Sequence, residues 1–485
     1  MKKIISIILC ILLFCSCSNQ KSKVDDENPN FGGVINIFSY YFDTVNPLLT
    51  KYQTNAQSLS LCYNSLFKEN QDLTYSNDAA KNYRFTNDNN AISIYLKNNI
   101  TFSDGSKLTA HNVKNSLDML KTNPDSMYYK IFDFTDSYNV VSDYEININL
   151  KKQGMGVLSH LTFPIVKDSE NFIGSGPYIL TNRSTDKLVL SARNEKGTNI
   201  QTINILAYPS IESMGNAFMT NEINVFASDF YKLAQTSTKS KVNKYEYVSD
   251  YYTFLGFNLE NDSLKNVYTR YAIACCINKN DMINNLLIGY ATPTNSVFKP
   301  NTLFNNLSTY DFTPNSDKVQ EYLQKSGYNK NYVFKLLVNE EGPAKVRTAE
   351  YIASRLVSEG IKTEVVSVNY DEYIEKLESG DFDLFIGEYE MAQDYDISFM
   401  LGSEFNYFRF YDQSVFDLIN NFNRAVSGDM RQAYANELQI RLRKKLPFIS
   451  LYYRNNILIT DDNIKGTVKP TQSDIYRTIT SWTVK

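Results

Sequence analysis

Between Gly387 and Asp396 the chain reads Gly-Glu-Tyr-Glu-Met-Ala-Gln-Asp-Tyr-Asp, so Glu388, Glu390, Asp394 and Asp396 stand close together with Tyr389 and Tyr395 among them. Carboxylates at this density suit a cationic group, because an ammonium withdrawn from water needs a counter-charge. The tyrosines beside them offer a flat apolar face and a polar tip. Residue types that would make the chain an enzyme are scarce. There are two histidines, His111 and His160. They form no helix-spaced zinc pair, and no Cys/His cluster, Gly-x-Ser-x-Gly elbow or P-loop accompanies them. Carboxylate pairs are unavoidable among 53 acidic residues and do not by themselves mark a glycosidase. No catalytic residue, metal site or cofactor is expected.

The elements that must position the acidic segment are legible just before it. Residues 333–338 read as a strand. Ala349, Ile352, Ala353, Leu356 and Val357 then fall on one face at helical spacing. Gly360 ends that helix, and residues 363–368 form a second strand. Asn369 caps a short helix carrying Tyr373, Ile374 and Leu377, which Gly380 closes. Residues 382–386 are a third strand. This is a β-α-β-α-β unit, which predicts a parallel sheet with crossover helices. In such sheets ligands bind beyond the carboxyl ends of the strands, which is where the acidic segment lies. Elsewhere, Ser103-Asp104-Gly105 reads as a turn and Thr109 as the N-cap of a helix through Val113, Leu117 and Leu120. A single helix is expected across 267–288.

The bulk properties set the compartment. Met1-Lys2-Lys3 precedes an apolar run to Cys15, too short to span a bilayer and typical of a secretory signal. Ser16-Cys17 resembles a bacterial lipobox, with Cys17 as the lipid-bearing residue and Cys15 as the fallback. Residues 18–30 are polar and read as a tether. A net charge of −4 argues against nucleic acid as a partner. Beyond the signal, Cys62, Cys275 and Cys276 read as free buried thiols. The 36 tyrosines and 29 phenylalanines fit either an aromatic cleft or a low-GC codon bias. The one tryptophan, Trp482, sits near the C-terminus, which disfavours a stacked sugar site.

Several segments, in order, resemble a known family. Tyr63-Asn64-Ser65-Leu66 is similar to its early Y-x-x-L helix. Phe102-Ser103-Asp104-Gly105-Ser106-Lys107-Leu108-Thr109-Ala110-His111-Asn112-Val113 resembles its F-x-D-G-x-x-[LF]-T-A-x-D-V signature. Gly174-Ser175-Gly176-Pro177-Tyr178, then Phe257-Asn258, Arg270-Tyr271-Ala272-Ile273 and Ile277-Asn278-Lys279, and finally Gly380-Asp381-Phe382-Asp383-Leu384 continue the match. The family is the solute-binding proteins, family 5, that serve peptide, nickel and related ABC importers. The family's G-W-x-x-D-Y-x-D-P segment is represented here by 387–396, without its tryptophan and proline.

The resemblance implies an α/β fold of the type II periplasmic-binding-protein kind: two α/β lobes joined by a hinge, plus an additional inserted domain. Lobe I would take 31–48, 172–259 and 454–485, the inserted domain 49–171, and lobe II 260–453. Most shared motifs should be scaffold, with Gly176-Pro177-Tyr178 beginning a strand that crosses between lobes and Arg270 making an ion pair or capping a hinge. Asp394, matching the family's aspartate before tyrosine, would take a peptide's ammonium. Tyr389 and Tyr395 would line the site beside it, Glu388 its rim, and Tyr40 and Tyr41 would meet the ligand from lobe I. The expected partners are short peptides, an ABC permease with its ATPase, and the membrane through the lipid anchor. The protein would act as a monomer on the extracytoplasmic face of a bacterial cell. Nickel chelates, oligosaccharides or signalling peptides are alternative ligands on the same scaffold, and a secreted hydrolase is the more distant rival.

Overall fold

The computed structural model describes residues 31–484 apart from 169–171, 194–195, 230–238, 306–311 and 403–404. The expected signal (1–16), the tether (17–30) and both candidate anchors, Cys17 and Cys15, lie outside the described residues.

The crossover unit forms as expected. Strand Phe334–Asn339, helix Pro343–Ser358, strand Thr363–Val368, helix Tyr370–Ser379 and strand Leu384–Glu390 follow in order. All three strands are parallel: Phe334 pairs with Thr363, and Leu336 with Leu384. Side-chain alternation then covers the sheet on both faces. Phe334, Leu336 and Val338 enter one apolar cluster, and Leu337 and Phe385 enter the other. The Asn369 side chain accepts the Glu372 N–H at 3.0 Å, satisfying a donor that the helix start would leave bare. At the other end Gly380 takes a left-handed φ of 81°.

Two long strands extend this sheet and leave it. Val242–Phe257 and Phe448–Asp461 pair antiparallel from Val242/Asp461 to Gly256/Phe448. One end of the pair joins Val225–Asp229, and the other joins Leu384–Glu390. The pairing is interrupted between Val248 and Tyr252. A bulge bends a strand locally and breaks the ladder, so this is the natural flexing point. Just past it, register is held by a reciprocal arrangement. Phe254 pairs with Gly387 and Gly256 with Phe385. Each phenylalanine ring folds over the facing glycine, so closely that a Cβ at Gly256 would lie 2.1 Å from the Phe385 ring.

Two four-stranded sheets belong to the first half of the chain. One has the order Gly32–Tyr40, Ile200–Tyr208, Lys187–Ala192, Tyr178–Arg183. The other is antiparallel: Ala80–Thr86, Ala91–Leu96, Glu145–Leu150, Thr135–Ser142. A single apolar cluster runs through both, from Ile37 and Ile205 to Ile94 and Ile148, and takes in Trp482. That tryptophan is fully buried, its indole N–H donating to the Thr467 carbonyl at 3.1 Å. Cys62, Cys275 and Cys276 are free, buried thiols. Among the described residues no helix is long and apolar enough to cross a membrane.

Three expectations are corrected. The helix expected over 267–288 is two, Val267–Cys276 and Lys279–Leu286. Asn278 breaks it by accepting the Asp281 N–H and so starting a new helix. Gly176-Pro177-Tyr178 leads into Tyr178–Arg183, which stays inside a lobe I sheet, and the crossing is made by the two long strands instead. Among the described residues Arg270 makes no ion pair. Its guanidinium donates to the carbonyls of Leu264, Lys265, Lys445 and Leu446, closing the ends of Asp262–Lys265 and Gly428–Lys445.

Candidate functional site

The acidic segment leaves the strand Leu384–Glu390 next to the bulge of the crossing strands, and its first residue is tied there. The Met391 N–H donates to the Asp250 carbonyl at 2.9 Å, and the Asp250 carboxylate is paired with Lys299. Tyr395 then adopts a left-handed φ of 57°, and its N–H returns to the Ala392 carbonyl at 2.9 Å. The turn sends three consecutive side chains into three surroundings. Tyr395 is buried in the lobe II core near the rings of Phe298 and Phe304. Gln393 and Asp394 line two different cavities.

The Asp394 cavity, about 480 Å³, lies between the segment carrying Lys151 to Gly156 and the segments carrying Asp394, Asn423 and Arg431. That is within the roughly 300–1,000 Å³ usual for small-ligand sites. Asp394 Oδ1 accepts the Asp396 N–H at 3.2 Å. Burial holds the Asp394 carboxyl above its ordinary pKa, opposed by that N–H and by the charges of Arg431 and Lys152. The inserted domain approaches so closely at Gly156 that a Cβ there would be 3.2 Å from Asp394 Cβ. The neighbouring contacts carry the approach further: Met155 N–H donates to the Ala425 carbonyl at 2.8 Å, and Arg424 Nε to Gln153 Oε1 at 2.9 Å.

Arg431 fixes this loop. It is 5% exposed, its guanidinium lies over the rings of Phe422 (4.4 Å) and Phe304 (5.1 Å), and Nη2 donates to the Asp394 carbonyl. Sequence reasoning missed it, because a cation on a polar helix without a clear apolar stripe reads as solvent-facing. Across the cleft a leucine plays a comparable part. Leu73, at the tip of the hairpin Phe67–Glu69/Tyr75–Asn77, joins the lobe II cluster that contains Phe298, Phe304 and Tyr395.

The second cavity, about 190 Å³, lies on the Gln393 side, between the helix Gln53–Leu59, the strand Phe67–Glu69 and the C-terminal segment around Asp474. Glu69, Asp474, Arg477 and Tyr476 line it. Burial pushes the Glu69 carboxyl up to about 7 and raises that of Asp474. His160 is spectator chemistry: burial against the Phe134 ring (4.6 Å) pushes its pKa down to about 4, so the ring is neutral.

The expected site residues are therefore dispersed. Asp394 faces a cavity. Tyr389 packs its ring against Phe254 and Phe399. Glu388 points to the other side of the strand, accepting from Thr253 Oγ1 at 3.1 Å and pairing with Arg454 at 3.4 Å. Tyr40 packs beside Tyr52 (5.7 Å) at the end of the first strand, and Tyr41 is 60% exposed.

Sheets joined by a crossing strand pair, with cavities beside the loop that leaves it, make the frame of a cleft-type ligand binder. Residues 74–404 match the bacterial extracellular solute-binding proteins, family 5 (middle), and the chain belongs to that family. It is 22% identical to the oligopeptide-binding protein AppA of Bacillus subtilis (strain 168), over 99% of this chain and 98% of that one. Similarity to the nickel-binding protein NikA of Staphylococcus aureus (strain NCTC 8325 / PS 47) is also 22%, over 98% and 97%. A nickel ABC transporter structure from Bacillus halodurans superposes with a TM-score of 0.80 at 18% identity, covering 93% of this chain and 100% of that one. The fold is that of the type II periplasmic binding proteins.

Proposed function

We propose that this protein captures short peptides in the cleft between its lobes and passes them to an ATP-driven ABC importer. Acylated Cys17 tethers it, as a monomer, to the outer face of the membrane that carries the importer. The observation behind the reading is the placement of Asp394. A carboxylate withdrawn from bulk water, with a single backbone N–H on one oxygen, faces a cavity that lobe II and the inserted domain cover together. A peptide's α-ammonium supplies what such a group lacks, and its backbone supplies strand-like hydrogen bonds that ignore side-chain identity. Similarity to the oligopeptide-binding protein AppA supports the ligand class.

Native mass spectrometry of freshly purified protein tests this. A ladder of bound masses that fragment as peptides is expected. A bound nickel complex or sugar, together with no calorimetric response to a tripeptide library, removes the peptide reading. The lobes should swing about the interrupted strand pair, so small-angle scattering should differ with and without a tight ligand.

A further inference from the structure

We propose that the Glu69 cavity is a second subsite, taking the cationic side chain of a lysine or arginine at the first or second residue of the bound peptide. The inference rests on the peptide reading above and adds a side-chain preference to it.

The argument is an inventory of donors and acceptors. Four groups lining the cavity have accepting capacity that nothing among the described residues uses. Glu69 takes one hydrogen bond, from Ser473 Oγ to Oε1 at 3.0 Å, and no cation lies within ion-pairing distance of it. Asp474 Oδ1 accepts the Tyr476 N–H at 2.9 Å, and its carboxylate likewise has no ion pair. Tyr476 is 1% exposed and its hydroxyl has no hydrogen-bond partner. Asn64 donates through Nδ2 to Asp78 at 2.8 Å, which fixes the orientation of its amide and leaves Oδ1 buried and unpartnered.

The two cations on the wall are already engaged. Lys68 pairs with Asp78 at 3.4 Å, and Arg477 Nη2 donates to Asn70 Oδ1 at 3.0 Å. Lys299, whose charge also reaches Glu69, is paired with Asp250. Among the described residues neither wall cation pairs with Glu69 or Asp474, and a buried acceptor without a donor is costly. An apolar or anionic group would leave those acceptors bare, and a neutral donor would leave the two carboxylates without a counter-charge. An ammonium brings three donors and a guanidinium five, together with the missing charge. Position along the peptide follows from the loop: Gln393 faces this cavity while Asp394, the next residue, faces the one proposed for the α-ammonium. The basic side chain must therefore branch within a residue or two of the N-terminus.

Calorimetry on the full mature protein tests the idea with Lys-Ala-Ala and Ala-Lys-Ala against the same peptides carrying norleucine, which keeps the length of the side chain and removes its charge. At least one lysyl peptide should bind about tenfold tighter than its norleucine counterpart, the size of a charge-assisted hydrogen bond. In Glu69→Gln the ratio should collapse to within about twofold. Equal affinities in the wild type, or a ratio that survives Glu69→Gln, overturns the proposal. Should Glu69→Gln fail to fold, the wild-type ratios and the same measurement in Asp474→Asn decide it. If norleucine peptides bind and lysyl ones bind no tighter, this inference alone falls. If none of the four peptides binds, the peptide reading falls with it.

Discussion

On the Asp394 side of the loop, Lys151, Lys152, Arg424 and Arg431 face Asp394 and Asp396. On the Gln393 side, Lys68 and Arg477 face Glu69 and Asp474. The first wall carries an excess of cations and the second a balance, yet the balanced wall holds the less compensated carboxylates. What separates them is how the cations are committed. Arg431 binds the loop that carries Asp394, so its charge serves that carboxylate. Lys68 pairs with Asp78 and Arg477 donates to Asn70, and their charges reach Glu69 and Asp474 only from a distance. Counting charges around a cavity would rank the two sites in the wrong order for a cationic ligand; tracing each donor to its acceptor ranks them by need.

The most decisive variant is Asp394→Asn, because the two readings of its cavity differ in sign. If an ammonium sits on Asp394, calorimetry with a binding peptide should show a loss of affinity of about 30-fold or more, since truncating one member of a desolvated charge pair costs about 2–5 kcal/mol. Folding should survive, as the only carboxylate contact removed is one backbone N–H. If instead the surrounding cations hold a ligand carboxylate, the same change relieves repulsion and affinity rises. Unchanged affinity removes Asp394 from the site.

Arg431→Ala comes next. It withdraws the side chain lying over Phe304 and Phe422 and releases the Asp394 carbonyl. Lost packing plus an unpaired buried carbonyl should destabilise the protein by about 2–4 kcal/mol in denaturant titration. Peptide affinity should fall even at temperatures where the variant remains folded, because Gln393 and Asp394 are no longer aimed apart. A stability loss with normal affinity would show that the left-handed Tyr395 shapes the loop without help.

These two variants also mark where sequence reading stopped. The crossover unit from Phe334–Asn339 to Leu384–Glu390 was legible because its signals are local: alternation, an apolar helix face, Asn369 and Gly380 at the boundaries. Asp394 was legible as the acid following a strand end and matching a family motif. Arg431 was not, since nothing within its own helix distinguishes a cation that finds two aromatic rings from one that finds water. Glu69 and Asp474 were further out of reach. They lie about 400 residues apart in sequence, no period or motif links them, and only the packing of the C-terminal segment against the inserted domain brings them to one cavity. Tyr389, Tyr395 and Glu388 show the limit in another way. Glu388 and Tyr389 alternate along the strand and Tyr395 sits in the turn beyond it, and which side meets ligand depends on the neighbouring elements.

Glu69→Gln should reverse the usual direction of a conservative loss. The carboxyl is pushed up to about 7 by burial, with Asp250 adding to the rise and Lys299, Arg477 and the Ser473 hydroxyl opposing it. A carboxyl whose folded value is raised contributes stability that is complete below its unfolded value and lost as pH climbs through the folded one. The glutamine variant should therefore match the wild type below about pH 4.5 and become the more stable protein by pH 8, by up to about 3 kcal/mol. Paired thermal melts across pH 4 to 8 read this out. A gap that stays constant with pH means Glu69 already has its counter-charge in the free protein.

Gly156→Ala should have the smallest effect and probes the boundary between the two sides. The backbone at Gly156 is ordinary helical geometry, φ −54° and ψ −30°, so alanine is not disfavoured by conformation. Its methyl would meet Asp394 Cβ at 3.2 Å and the Phe134 ring at 3.4 Å, so one neighbour must yield by a few tenths of an ångström. Arg431 holds the Asp394 backbone from the far side, which leaves the inserted domain as the part that gives. Melting should shift by about 1 kcal/mol or less, within the range of mild overpacking. Peptide affinity should drop a few-fold, because the cavity's two walls are pushed apart while each wall keeps its own residues. A preference for lysyl over norleucine peptides should persist in this variant, since the Glu69 cavity takes none of its wall from Gly156. If that preference vanished together with the affinity, the two cavities would be one site with a shared wall, and the distinction between them would fail.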